Sequence, residues 1–306
     1  MKEFFLPHQR LYASTHILDL RKKMAKEGKY IYCIIRTSQE RNFGPIGIGG
    51  RGDEVLTIGY EDLSMVVSSH PVIKFTVNRE NVLAHEKVIE EVMKEFDSVL
   101  PVRFGTVAVT CDEIRNLLDK RYREFKNALI NVEHKIELSV KGIWKNMDNI
   151  FKEITGENEA IKKLKKEIHP HTKSSISISK PSAENLNFAP KSSTQSDSQF
   201  GVGVQVRIAI GQMVETALQN KKGEEADSII DILRKTACDY KVSRTIGDEM
   251  FMNSAFLVDK GREKEFDNIM HDLSEEYKSR IKFMYTGPLP VFNFVNIVIY
   301  PEEWEK

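Results

Sequence analysis

Apolar positions recur along this chain with two periods. Residues 29–36, KYIYCIIR, form a β-branched and aromatic run short enough for a buried strand. SMVVSSH (64–70) reads as a second strand and VLPVRFGTVAV (99–109) as a third. Between them, residues 79–97 place Val82, Leu83, Val88, Ile89, Val92 and Phe96 at helical spacing. Asp112 is positioned to cap the helix that begins EIRNLL. Upstream, Ser14 or Thr15 opens an amphipathic helix over 14–27, an N-terminal helical extension covering 1–28. Strands and helices mix here without strict βαβ alternation. Residues 29–130 therefore read as an α+β domain, not a doubly wound one.

The period changes in the second half. In HKIELSVKGIW (134–144), Ile136, Leu138, Val140 and Gly142 alternate with charged or polar residues, the pattern of a half-buried strand. A helical stretch follows to about Ile168. Residues 169–200 hold nine serines and three prolines with little apolar content, which predicts a flexible insertion. Such a segment cannot bury enough surface to offset its ordering entropy. GVGVQVRIAIG (201–211) alternates as a strand would, yet runs unbroken into a strongly helical stretch, so a helix from near Val204 is expected.

Residues 238–261 predict a hairpin turning at Gly247-Asp248. Arg262–Ser279 is expected as a helix with Phe266, Met270 and Leu273 on one face, and 280–287 as a final strand. The order β, long α, β, β, α, β folds as a four-stranded antiparallel sheet with helices on one face, the ferredoxin-like plan. This second domain covers 131–286.

The last segment, YTGPLPVFNFVNI (285–297), raises a separate question. Proline cannot continue a central ladder, so Gly287, Pro288, Leu289 and Pro290 are expected to break the sheet and redirect the chain. Phe292, Phe294, Val295, Ile297 and Val298 then pack as a C-terminal tail (287–306) between the domains, or offer apolar surface to a partner. The first reading is favoured, because burying one Phe side chain contributes about 1.5–3 kcal/mol.

Composition narrows the function classes. The 306 residues include 45 Lys+Arg and 45 Asp+Glu, a formal net charge of zero. That argues against nucleic acid as the main partner, since phosphate binding leaves a basic excess. Lys162, Lys163, Lys165 and Lys166 are flanked by Glu157, Glu159 and Glu167, which makes a solvated helix face. No stretch approaches the 18 or so apolar residues of a membrane span, and no signal-peptide core opens the chain. Cys33, Cys111 and Cys238 are few and widely spaced, as in reduced cytoplasmic proteins.

Catalytic patterns find little support. Gly47, Gly49 and Gly52 match GxGxxG as a string, but DEVLTIGY behind them does not open a helix that would hold a pyrophosphate. A turn between strands is the better reading, and no cofactor is expected. His169 and His171 have only Glu167 as an acidic neighbour, and His85-Glu86 lacks the second histidine of HExxH at Ile89, so no metal site is expected. His85 reads as a helix-surface or packing residue. No GxSxG and no recognisable nucleophilic cysteine occur, so no catalytic residue is assigned. In RFGT (103–106), Arg103 beside Phe104 and Gly105 reads as a buried ion-pair anchor at a strand end or as a ligand contact, with the glycine supplying positive φ or close approach.

Six segments together resemble the F/L-type gas vesicle proteins, the GvpL/GvpF family. They are YIYCIIR (30–36), VLPVRFGTV (99–107), IELSVKGIW (136–144), RIAIGQMVETAL (207–218), NSAFLVD (253–259) and YTGPLPVFNFV (285–295), in the family's order. Cys33 stands where the family commonly has glycine, and Val291-Phe292 where a proline and a tyrosine are usual. The N-terminal 28 residues and 169–200 lie outside the resemblance. The resemblance implies a two-domain α+β protein whose second domain is ferredoxin-like with a helical extension. It also implies a non-enzymatic structural or assembly role in gas vesicles. Its partners would be the gas vesicle shell protein and other accessory proteins, in the cytoplasm. The competing class is a small-molecule sensor or enzyme on a ferredoxin-like sheet, which needs a concave pocket with convergent polar groups.

Overall fold

Strand β1 (Glu27–Arg36) is buried on both faces, which is why its sequence is an apolar run without alternation. The computed structural model describes residues 27–72, 77–168 and 197–300. The helix expected over 14–27 and the 169–196 part of the serine-rich segment lie outside the described residues, apart from Glu27, which opens β1.

Around β1 an antiparallel sheet forms from β2 (Val55–Tyr60), β3 (Leu63–Pro71), β4 (Val99–Pro101) and β5 (Val107–Ala108). Its order is β2-β3-β1-β4, with β5 also paired to β1. A register shift between Ile31 and Cys33 changes side-chain parity within β1. Tyr30, Tyr32, Cys33 and Ile35 therefore enter one core, and Ile31 and Ile34 the other.

Helix α1 (Arg79–Met93) covers the first of these faces with Val88, Ile89 and Val92. Helices α2 (Cys111–Lys120) and α3 (Tyr122–Asn131) cover the second with Ile114, Leu117, Leu118 and Phe125. Thr110, not Asp112, caps α2: its hydroxyl accepts from Glu113 N at 3.2 Å, while Glu113 reaches back to Val109 N at 2.7 Å. Two other details differ from expectation. The strand expected over 99–109 is split into β4 and β5 by the RFGT turn, and β2, unforeseen as a strand, follows the glycine-rich loop.

The second sheet comprises β6 (Lys135–Trp144), β7 (Asp239–Val242), β8 (Met250–Asp259) and β9 (Ile281–Leu289). Its antiparallel order, β7-β8-β6-β9, is that of the ferredoxin-like plan. Helices α4 (Met147–Glu157), α5 (Glu159–Ile168), α6 (Asp197–Leu233) and α7 (Glu263–Glu276) lie on one face. Their core meets Ile136, Leu138 and Val140 from β6 with Phe256 and Val258 from β8.

Helix α6 begins at Asp197, not near Val204, and takes in the last residues of the serine-rich segment. Once a helix is nucleated, each further residue adds a hydrogen bond that offsets the entropy of fixing it. Strand β9 also runs further than expected, through Gly287 and Pro288 to Leu289. Proline is tolerated there because β9 is an edge strand and its pairing to β6 slips between Glu137 and Ser139. The chain leaves the sheet only at Pro290.

Candidate functional site

The odd-numbered residues of β6 face away from the helices. Glu137, Ser139, Lys141 and Ile143 lie on that side, aligned with Leu257, Ala255, Asn253 and Met250 of β8. One end of this face is covered. Leu257 joins the core of the first sheet, together with Val291 and Ile297 from the tail.

The tail holds this junction by polar contacts as well. Asn293 donates to the Glu137 carboxylate from its backbone N (2.9 Å) and its side-chain amide (2.6 Å). Further on, Ile297 forms a parallel bridge with Val102, and Arg121 Nη1 donates to the Val298 carbonyl at 2.9 Å. Burial pushes the Glu137 carboxyl up, against the opposing pull of Asn293 and the charge of Lys241. Phe294 is half-buried, with Lys241 Nζ 5.6 Å from its ring centroid.

The RFGT turn and the tail meet at one buried side chain, His85 of α1. Its ring lies 5.6 Å from Phe104, 5.6 Å from Tyr32 in a stacked arrangement, and 6.2 Å from Phe292. Tyr30 Oη sits 3.0 Å from His85 Nδ1 and accepts from Gly105 N at 3.0 Å. Gly105 has φ +88°, so glycine is what lets the turn bring that N–H onto the tyrosine. Burial pushes the His85 imidazole down to about 4, against a smaller upward pull from the Val102 backbone, and the ring is neutral at pH 7. This is a packed aromatic cluster beneath the tail, not an open site.

The expected site residues are distributed as follows. Arg103 is exposed and forms no ion pair among the described residues, so it is not the buried anchor considered for it. Its carbonyl instead accepts from Thr106 Oγ1 at 2.7 Å. Gly287 does not make a turn. A Cβ there would sit 2.4 Å from Leu138 Cδ2, so glycine permits close approach to β6. Pro288 is exposed on the edge strand, Pro290 is buried, and Phe292 remains 36% exposed over His85. Sequence reasoning assigned no such role to Glu137, Asn293 or Tyr30.

A polar cleft of about 630 Å³ opens beside the α2–α3 junction. Its groups are engaged with one another: Tyr60 Oη donates to Asp119 at 2.6 Å, and Arg121 forks onto Glu124. Among the described residues no group of three or more His, Cys, Asp or Glu side chains is placed to hold a metal ion. No helix among them is long and apolar enough to cross a membrane.

Comparison with known proteins gives one answer. The family described as gas vesicle synthesis protein GvpL/GvpF matches residues 28–296. Gas vesicle protein F of Microcystis aeruginosa (strain PCC 7806) is 23% identical over 242 residues, 78% of this chain and 86% of that protein. Gas vesicle protein F1 of Halobacterium salinarum is 24% identical over 279 residues, 90% and 97% of the two chains. The crystal structure of GvpF from Anabaena sp. PCC7120 superposes with a TM-score of 0.66 at 20% identity, over 89% of this chain and all (100%) of that one. The crystal structure from Microcystis aeruginosa gives 0.67 at 23% identity, over 88% and 99%. These likenesses carry the fold, mixed helices with two antiparallel sheets. The family match spans both sheets and the tail crossing as far as Asn296, and the chain accordingly belongs to the gas vesicle synthesis protein GvpL/GvpF family.

Proposed function

We propose that this protein is a cytoplasmic accessory component of gas vesicle formation that binds the apolar shell subunit, together with other gas vesicle proteins, while the vesicle nucleates. The observation that carries the reading is the family match from residue 28 to 296. The physical rationale is that a shell made from an apolar subunit needs that subunit kept from aggregating before incorporation. A soluble partner does this by covering an apolar face or pairing with a strand edge. The chain has features suited to such a role. Edge strand β7 is exposed along its length, with Val242 at its end 62% exposed and Ile246 in the loop beyond it 76% exposed.

In this reading the chain divides near residue 130 into two domains, and the tail acts as a strap between them. The strap lays Phe292 over His85 beside Phe104 of the RFGT turn and leaves Phe294 half-buried, as parts of the scaffold.

The test is co-expression with the shell subunit followed by affinity capture from the soluble fraction. The expected outcome is a stable soluble complex, weakened by Val242→Glu or Ile246→Glu. A shell subunit that stays insoluble and uncaptured, alone and with the other accessory proteins present, would sink the proposal.

A further inference from the structure

Among the described residues, no apolar core covers the far half of the second sheet's outer face, and its chemistry is uneven. Ile143 of β6 lies opposite Met250 of β8, and Met284 of β9 is 45% exposed one step along. The loop after β7 adds Ile246, whose N–H donates to Met250 Sδ at 3.4 Å. None of Ile143, Met250 and Met284 belongs to the helix-side core. Together they make a short apolar stripe built around two methionines, side chains that adapt to irregular partners.

Lysines flank the stripe. Lys141 lies opposite Met284, and Lys282 opposite Ile143, and neither forms an ion pair among the described residues. Lys241 stands at the border with the covered half. From Ser139 to Ile143 and from Lys282 to Thr286 the face carries no carboxylate. The chain as a whole is neutral, so the opposite charge sits elsewhere. Helix α7, on the other side of the same sheet, has six carboxylates against one lysine. The charge of β6 and β9 on the open face is thus opposite to that of α7 behind them.

We infer that this open half-face docks an acidic, amphipathic segment of a protein partner, its apolar residues on Met250, Ile143 and Met284 and its carboxylates on Lys141 and Lys282. Charge complementarity selects this occupant. A nucleic acid or an anionic membrane would meet too few cations for phosphate-driven binding, and would gain little from the methionine stripe. The inference is separable from shell-subunit binding, because it centres on Met250, Ile143 and Met284 of the open face and not on edge strand β7; Ile246 borders both surfaces and is left unchanged in its test.

The probe is a labelled helical peptide of about 18 residues with leucine on one face and glutamate on the other, paired with a version carrying lysine for glutamate. Fluorescence anisotropy with the full chain should show binding of the glutamate peptide that weakens as salt rises. Lys141→Glu with Lys282→Glu should raise its Kd by about tenfold or more and transfer preference to the lysine peptide. Met284→Glu should weaken both peptides, while Lys264→Glu on α7 should change neither. Circular dichroism melts confirm that each variant is folded. Binding indifferent to the face changes, or no binding up to about 1 mM peptide, overturns the inference. So does a concentration-dependent dimer lost on Met284→Glu in sedimentation, which would make a second copy the occupant. An oligonucleotide or anionic vesicles binding with the same lysine dependence would likewise overturn it.

Discussion

Asn293 and Glu137 are joined twice: the backbone N–H and the side-chain amide of Asn293 both donate to one carboxylate, across 156 positions of sequence. Glu137 is 2% exposed, so its charge depends on these two donors and on Lys241 nearby. Removing Asn293 by Asn293→Ala leaves a buried carboxylate with one donor fewer. The expected cost is about 1.5–3 kcal/mol, the range for hydrogen bonds to charged groups. Urea unfolding at pH 7 checks it.

The same pair predicts a sign with pH. Burial raises the Glu137 pKa above its ordinary value, so its contribution to stability is fully present below the unfolded pKa and falls as pH rises through the folded one. Glu137→Gln should remove that component of the slope in chemical denaturation across pH 4–7. An unchanged slope would mean that the tail junction does not strain the carboxylate.

His85 makes the opposite contribution. Its folded pKa, about 4, lies below the ordinary 6.5, so its stabilising effect is present above pH 6.5 and is lost as pH falls toward 4. The shift corresponds to roughly 3 kcal/mol between those limits. His85→Phe should flatten the melting temperature over this window. Part of the slope will remain, because burial also lowers the His70 pKa.

Much of this architecture is legible in the sequence, for local reasons. Ile136, Leu138 and Val140 alternate because β6 has one face on helices, and 79–97 repeats at helical spacing because α1 covers one side of β1. What could not be read is set by distant chain. Glu137 looks like a solvent-side residue in that alternation, and only a tail arriving after residue 289 buries it. His85 gave no periodic signal of its role, since its partners Tyr30, Phe104 and Phe292 come from three separate segments. Pro288 misleads for another reason. A proline forbids a central strand, but the sequence does not say which strand will be at the edge.

Arg280 ties β9 to two helices. Its guanidinium forks onto Glu153 of α4 at 2.7 and 2.9 Å and also reaches Glu225 of α6 at 2.6 Å, which in turn accepts from Trp144 Nε1 at 2.7 Å. Arg280, followed by Lys221, holds the Glu153 carboxyl down to about 2. Its stabilising effect is therefore present above pH 4.5 and lost as pH falls toward 2. About a third of each side chain remains in water, which limits the expected cost of Arg280→Lys to about 1 kcal/mol. Lysine keeps the charge but cannot fork. Acid titration of the wild type and of this variant should show the smaller acid-induced loss in the variant.

Gly142 carries the last expectation. A Cβ at this position would lie 2.5 Å from Phe251 Cζ, and that ring is stacked on Trp144 with centroids 5.2 Å apart. Gly142 has no left-handed backbone, so only space forbids a side chain. Gly142→Ala should therefore cost about 1–3 kcal/mol through overpacking. If the clash with the ring is the cause, Phe251→Leu should absorb it. The double variant should then be more stable than the two single losses added together predict, a coupling that a double-mutant cycle reads directly. Strict additivity would place the cause in the backbone of β6 instead.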